Sequence, residues 1–274
     1  MRGVLRRRVN QWVVRSLNAL GFDLTRSPVD GRISVIRDPM LSPDPNVAMR
    51  TIVGESASVV VDVGAHQGST SVRFAETFPE ARIFALEPDP ENFAILVRQV
   101  RSVKRIVPIG RAAAERTGPA TLYRTRFDQA HSLRRPAADA PRYLASGDLL
   151  EEMGPVPIET ISLDDFCVEN GLDHIDVLKI DAQGSELEIL EGGKGLFSRG
   201  AATLVFLEVN FLPVYDGMAL FPAVYQWLFD RGYRLVQLYD TAFRDRFFQI
   251  GCNALFVLEE KGSRRAAGGR SPKK

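Results

Sequence analysis

Ser58-Val-Val-Val-Asp62-Val-Gly64-Ala-His66-Gln-Gly68 is the stretch on which the fold turns. Ser58 to Val63 is a short apolar run interrupted by Asp62, and it stops at a glycine-bearing loop. A parallel strand covered by helices on both faces reads this way. Glycines at a strand-to-helix turn let backbone approach a ligand closely, and the N-terminus of the next helix attracts polar or anionic groups. Gly64 and Gly68 with His66 between them do not make the G-x-G-x-x-G of a pyrophosphate site. The spacing suits a cofactor without pyrophosphate.

Working outward, the chain alternates strand and helix. A helix is expected from about Thr70 to Thr77, then a strand at Arg82–Leu86. Asp89-Pro90-Glu91 supplies an N-cap, a proline at the first helical position and an acid in the first turn. Phe93, Leu96, Val97 and Val100 give that helix an apolar stripe, and Ile106–Ile109 reads as the third strand. The rhythm breaks over residues 119–162, where Ala120–Tyr123 and Val156–Ile161 read as strands around a Pro/Ala-rich stretch, Arg135–Pro141. This part, about 119–160, reads as an insertion or lid over the cofactor side. Strands then follow at Asp176–Ile180, Thr203–Leu207 and Tyr233–Leu238, with helices at Ser185–Glu191 and Pro222–Arg231. Ser185 and Glu188 fit an S-x-x-E capping box. Asn253–Leu258 closes the sheet, antiparallel to its neighbours because only a loop precedes it. Strand-helix repetition of this kind predicts a mostly parallel sheet with helices on both faces.

The 274 residues suit one large α/β domain, and 45% hydrophobic with 25% charged residues is ordinary globular composition. No apolar run approaches the ~20 residues that cross a bilayer, and the opening residues lack a secretory signal. Cys167 and Cys252 stand far apart, so neither a disulfide scaffold nor a cysteine-rich metal site is expected, and a cytoplasmic setting is. The net charge of +1 hides a polarised chain: residues 1–26 carry +5, residues 261–274 carry +6, and the body between them carries −10. An acidic body argues against nucleic acid as a partner. Residues 1–26 read as a basic amphipathic helical segment with Leu5, Val9, Trp12, Val13, Leu17 and Leu20 on one stripe. That stripe can pack on the main domain or lie on the inner face of a membrane. Residues 27–57 are a lead-in, 58–260 the motif-bearing domain, and 261–274 a solvated basic tail.

Three further positions carry chemistry. Glu87 ends the second sheet strand, 25 positions after Asp62, where a carboxylate accepts hydrogen bonds from two ribose hydroxyls. Asp181 ends a central strand, at the edge where open α/β sheets bind ligands. Lys179, inside that strand, needs a partner if buried. Another strand ends in Glu208 and Asn210.

Val61–Gly68, Phe84–Phe93 and Val177–Gly192 followed by Leu207-Glu208 together resemble the FkbM-type family of S-adenosylmethionine-dependent methyltransferases. The resemblance runs from about Val59 to Leu258. It implies a Rossmann-like class I methyltransferase fold with a seven-stranded, mostly parallel sheet whose last strand is antiparallel. It implies methyl transfer to a hydroxyl of a sugar, glycan or secondary metabolite. Asp62, Gly64, Ala65, His66, Gly68, Glu87, Pro88 and Asp181 are then the cofactor-binding residues, with an adenine contact near Gly110–Ala114. An alcohol nucleophile benefits from a general base or a metal. Asp181 is the first candidate base, with Glu208, His131 and His66 behind it, and Asp181 with Glu208 can offer oxygen ligands to Mg²⁺. His66 stands where the family often has Asn, and Gln183 where many members have Glu. Two other classes compete: a nicotinamide-dependent oxidoreductase, and a catalytically silent fold docked to membrane through residues 1–20.

Overall fold

The computed structural model describes residues 22–26, 33–37, 42–144, 147–244 and 248–259. The amphipathic stripe of residues 5–20 and the basic tail 261–274 lie outside them. Two units separate, residues 1–52 and 53–274. In the first, β1 (Phe22–Arg26) and β2 (Ile33–Arg37) pair antiparallel, Phe22 opposite Arg37. Residues 22–26 are thus a strand and not the end of a helical segment. Their alternation of apolar and polar residues has the period of two that a pleated strand needs. Helix α1 (Pro45–Val53) follows, begun by Asp44, whose Oδ1 accepts from Asn46 N at 2.9 Å.

The second unit is built on a seven-stranded sheet. Its strands are β3 (Val59–Val63), β4 (Arg82–Leu86), β5 (Ile106–Ile109), β9 (Ile175–Ile180), β10 (Ala202–Asn210), β11 (Tyr233–Arg244) and β12 (Phe248–Leu258). Their spatial order is β11-β12-β10-β9-β3-β4-β5, and only the pairings of β12 are antiparallel. The chain runs from β3 outward to β5, then returns to start β9 on the other side of β3. That reversal opens a crevice at the carboxyl ends of β3 and β9. Valine, isoleucine and leucine fill these strands because helices cover both faces: Val60, Val61, Ile83, Phe84, Val177, Leu178 and Ile180 are all buried. The covering helices are α2 (Ser69–Thr77), α3 (Pro90–Val100), α4 (Leu163–Asn170), α5 (Glu186–Glu191), α6 (Lys194–Ser198) and α7 (Phe221–Asp230). Phe166 sets its ring edge-on to Phe84 at 5.4 Å, and Phe197 meets Trp227 at 5.0 Å in the same way.

The interruption in the rhythm is a second sheet. β6 (Ala112–Ala113), β7 (Gly118–Thr125) and β8 (Glu152–Ile161) lie in the order β6-β8-β7, with β7 and β8 antiparallel. Residues 126–151 run between the arms of this hairpin. Among the described residues no helix is long and apolar enough to cross a membrane.

Two local expectations need correction. Val97 is exposed while Leu96 and Val100 are buried, so the stripe of α3 is narrower than its sequence suggests. The capping box at Ser185 does not form. Ser185 makes no side-chain cap bond, and Glu188 pairs with Arg134 instead. Glu186 takes the loop in hand, its carboxylate accepting from Ala182 N at 3.0 Å and Gly184 N at 3.1 Å.

Candidate cofactor site and its carboxylate cluster

Asp62 and Lys179 are register partners in the adjacent strands β3 and β9. Paired residues of neighbouring strands project from the same face, so two charges enter the core side by side. Lys179 Nζ lies 3.1 Å from Asp62 Oδ1 and donates to the carbonyls of Gly64 (2.8 Å) and Val63 (3.2 Å). Burial favours the neutral amine, but the Asp62 and Asp181 carboxylates outweigh it, and the Lys179 pKa is raised. Asp62 also accepts from Ser71 Oγ at 2.6 Å, which ties β3 to α2. Asp62 is fully buried and stands behind the crevice, holding Lys179 and the loop above it.

The loop from Gly64 to Gly68 turns its N–H groups inward. Gly64 N and Ala65 N donate to the Leu86 carbonyl (3.0 and 2.9 Å), His66 N to Glu87 Oε2 (2.8 Å) and Gly68 N to the Ala65 carbonyl (2.8 Å). Four donors that a phosphate cradle would need are therefore already engaged. Gly68, with φ of +96°, begins α2 and packs on Leu96 rather than facing the crevice. Glu87 Oε1 accepts from Asp89 N at 2.9 Å. Each Glu87 oxygen thus holds one backbone donor and keeps further acceptor capacity. Burial is the main cause that pushes the Glu87 pKa up to about 7, against the two backbone bonds that lower it.

Gly64, Ala65, His66, Glu87, Pro88 and Asp181 line one cavity. Ser69 and Thr70, at the N-terminus of α2, stand at one part of its wall, and Ala112, Ala113 and Leu122 make an apolar part. Asp128, Gln129 and His131, from the stretch between β7 and β8, complete it. His66 Nε2 meets Asp128 Oδ2 at 3.1 Å, and Gln67 Nε2 donates to the same oxygen at 3.2 Å. His131 Nδ1 accepts from Thr125 N at 3.2 Å, and burial lowers its pKa. That bond sets the neutral tautomer with its proton on Nε2, so His131 offers no free lone pair for taking a proton.

Asp181 and Glu208 come together, as their strand ends suggest, but a side chain joins them. Gln183 Nε2 donates to Asp181 Oδ1 (2.7 Å) and to Glu208 Oε2 (2.8 Å), and Tyr215 OH contacts Gln183 Oε1 at 2.9 Å. Burial first, then the Asp181 and Glu186 carboxylates, hold the Glu208 pKa well above the usual carboxylate range. Lys179 Nζ lies 3.6 Å from Asp181 Oδ2. Among the described residues no cluster of three or more His, Cys, Asp or Glu is placed to hold a metal ion. Glu186 and Tyr215 were not picked out from sequence, and Gln183 was noted only as standing where many family members have Glu. Gln183 and Glu186 lie inside the motif after β9, but nothing in the sequence near Tyr215 marks it.

A family model described as the methyltransferase FkbM domain matches residues 62–235. A 2-O-methyltransferase, NoeI of Sinorhizobium fredii, is 27% identical over 189 residues, 66% of this chain and 75% of that protein. The methyltransferase sdnD of Sordaria araneosa is 28% identical over 48% of this chain and 59% of its own length. Methyltransferase 1 of Beauveria bassiana is 25% identical over 49% and 58%.

Proposed function

Because the chain belongs to the methyltransferase FkbM family, we propose that it transfers a methyl group from S-adenosylmethionine to a hydroxyl of a sugar, glycan or secondary metabolite. The observation that carries this reading is the cavity between Glu87 and Asp181. Its charged lining suits a sulfonium cation better than a pyrophosphate: Glu87, Asp128 and Asp181 stand against Lys179, and the loop N–H groups are engaged elsewhere. This weighs against the nicotinamide alternative. Glu87, with acceptor capacity left on both oxygens, would hold the ribose hydroxyls. Ala112, Ala113 and Leu122 would cover the adenine. The first-turn N–H groups of α2, beside Ser69 and Thr70, would take the methionine carboxylate.

When bound, the cofactor supplies an electrophilic methyl group. The chain's own part is to place the acceptor hydroxyl and remove its proton. Asp181 takes that proton; Lys179 Nζ at 3.6 Å and the Gln183 amide at 2.7 Å hold its carboxylate in place. Oxygen as the acceptor atom accords with the name of the NoeI relative, a 2-O-methyltransferase. Calorimetric titration of the full chain with S-adenosylmethionine and with NAD tests the reading. We expect saturable binding of the first alone, weakened roughly 10- to 100-fold by Glu87→Gln, the range of a lost charged hydrogen bond. Binding of NAD alone would overturn it.

A further inference from the structure

Asp181 and Gln183 line both the cofactor cavity and a second cavity beside it, so whatever holds their side chains sets the geometry at the junction. Gln183 has an uncommon backbone, with φ of +53°. A residue with a Cβ keeps that left-handed conformation only where its surroundings hold it there. Ser132 Oγ, from the stretch between β7 and β8, donates to the Gln183 carbonyl at 2.7 Å. The side-chain amide is held as well, at both ends.

A carboxylate accepts hydrogen bonds, so the end of the amide that faces Asp181 is Nε2. Its two protons go to Asp181 Oδ1 at 2.7 Å and Glu208 Oε2 at 2.8 Å. At the opposite end, Oε1 accepts from Tyr215 OH at 2.9 Å. The same hydroxyl lies 3.1 Å from the Ala130 carbonyl, which ties it to the stretch that carries Gln129 and His131. Tyr215 is buried, and its ring lies directly on Gly184: a Cβ there would meet Tyr215 Cδ2 at 3.1 Å and Cβ at 3.2 Å. Burial pushes the phenol pKa up, so the hydroxyl keeps its proton and remains a donor. Packing thus fixes the ring, and Gln183 and Ala130 fix the hydroxyl.

We infer that Tyr215 is a positioning residue for methyl transfer: it anchors the Gln183 amide, and through that amide it sets the direction of the Asp181 carboxylate. The inference rests on the reading of Asp181 as the base. The oxygen that takes the proton must stand within hydrogen-bond reach of the acceptor hydroxyl, and a small misplacement of a reacting group is costly in rate. Without the Tyr215 hydroxyl, Gln183 Oε1 loses that donor and the amide can swing away from Asp181. Because Tyr215 acts through Gln183, removing the hydroxyl and removing the amide should not add.

The test uses the full chain, tritium-labelled S-adenosylmethionine and a protein-free cell extract as the source of acceptor, with label transfer read as an initial rate at saturating cofactor. Tyr215→Phe keeps the ring against Gly184 and removes only the hydroxyl. We expect transfer to fall about tenfold or more, while cofactor affinity stays at the wild-type value and the chain remains folded at the assay temperature. Gln183→Met, close to glutamine in shape but without the amide, should fall at least as far, and the double variant no further than Gln183→Met alone. A second readout needs no acceptor. In amide NMR spectra the Gln183 side-chain NH2, identified by its loss in Gln183→Met, should exchange with water about tenfold more slowly than exposed side-chain amides, and Tyr215→Phe should remove that protection. Unchanged transfer by Tyr215→Phe, losses that multiply in the double variant, or an unprotected Gln183 amide in the wild type overturns the inference. So does a loss of transfer in Tyr215→Phe matched by an equal loss of cofactor binding. Full transfer by Asp181→Asn would instead overturn the base reading, and failure of S-adenosylmethionine to titrate would overturn methyl transfer itself.

Discussion

Gly64 and Asp181 approach so closely that a Cβ added to Gly64 would lie 1.8 Å from the Asp181 carbonyl oxygen. The two residues follow directly on β3 and β9, and Asp181 N donates to the Val63 carbonyl at 3.1 Å. The glycine is needed by the protein's own backbone at the point where the crevice opens, before any ligand is considered. Its φ of +72° adds a second requirement.

Gly64→Ala is therefore expected to destabilise the fold strongly. The left-handed conformation costs about 1–3 kcal/mol for a residue with a Cβ, and the clash with strand backbone adds a comparable overpacking term. Gly54→Ala is the control: it shares a positive φ of +78° but has open space around the added atom. Denaturant midpoints should fall for both, and much further for Gly64→Ala. Equal losses would remove the close approach as the cause.

Glu87 gives a pH dependence with a definite sign. Its pKa in the folded chain is pushed up to about 7, above the ordinary 4.5 of a glutamate, so between those values the folded state holds the extra proton. Its contribution to stability is present below pH 4.5 and is lost as pH rises toward 7. Cofactor affinity runs the other way, because two ribose hydroxyls need an ionised acceptor. S-adenosylmethionine binding should strengthen by up to about tenfold per pH unit on approach to pH 7 from below. Titration at several pH values checks this, and a Glu87→Gln variant should show a flat profile from that site.

Lys179→Met leaves the Asp62 carboxylate in the core with Ser71 as its remaining partner. Breaking a buried ion pair from one side typically costs about 3–5 kcal/mol. The double variant Asp62→Asn with Lys179→Met should recover part of that loss, which a double-mutant cycle of denaturant unfolding reads directly. A double variant no better than the single one would mean that the pair is not the main interaction of Lys179.

Asp181→Asn preserves shape and should keep cofactor affinity within a few-fold. Single-turnover methyl transfer should fall by about 10²–10⁴, the usual contribution of a general base. If cofactor binding and melting temperature fall together while turnover per bound cofactor holds, Asp181 positions the loop and is not the base.

The order of strands and helices was legible because apolar runs, glycine turns and the Asp89 cap are local signals. Glu87 and Asp181 were found from strand-end position alone, which is also local. Asp62, expected beneath the glycine loop among the cofactor-binding residues, anchors Lys179, and Gly68, expected to cradle the cofactor with its backbone, sits against Leu96. The capping box at Ser185 failed because a more buried acid, Glu186, takes the loop N–H groups.

By itself, the sequence determined the alternation of buried strands and amphipathic helices, and with it the crevice at the carboxyl ends of β3 and β9. Hydrophobic periodicity and turn chemistry act over a few residues, so they can be read along the chain. Tertiary structure alone decided which charges meet. Lys179 faces Asp62 across 117 positions of sequence because their strands pair in register, and Tyr215 reaches Gln183 only because the loop after β10 folds back over the crevice. A buried charge or amide is stable only with a partner, and the partner is chosen by proximity in space, which no local pattern encodes.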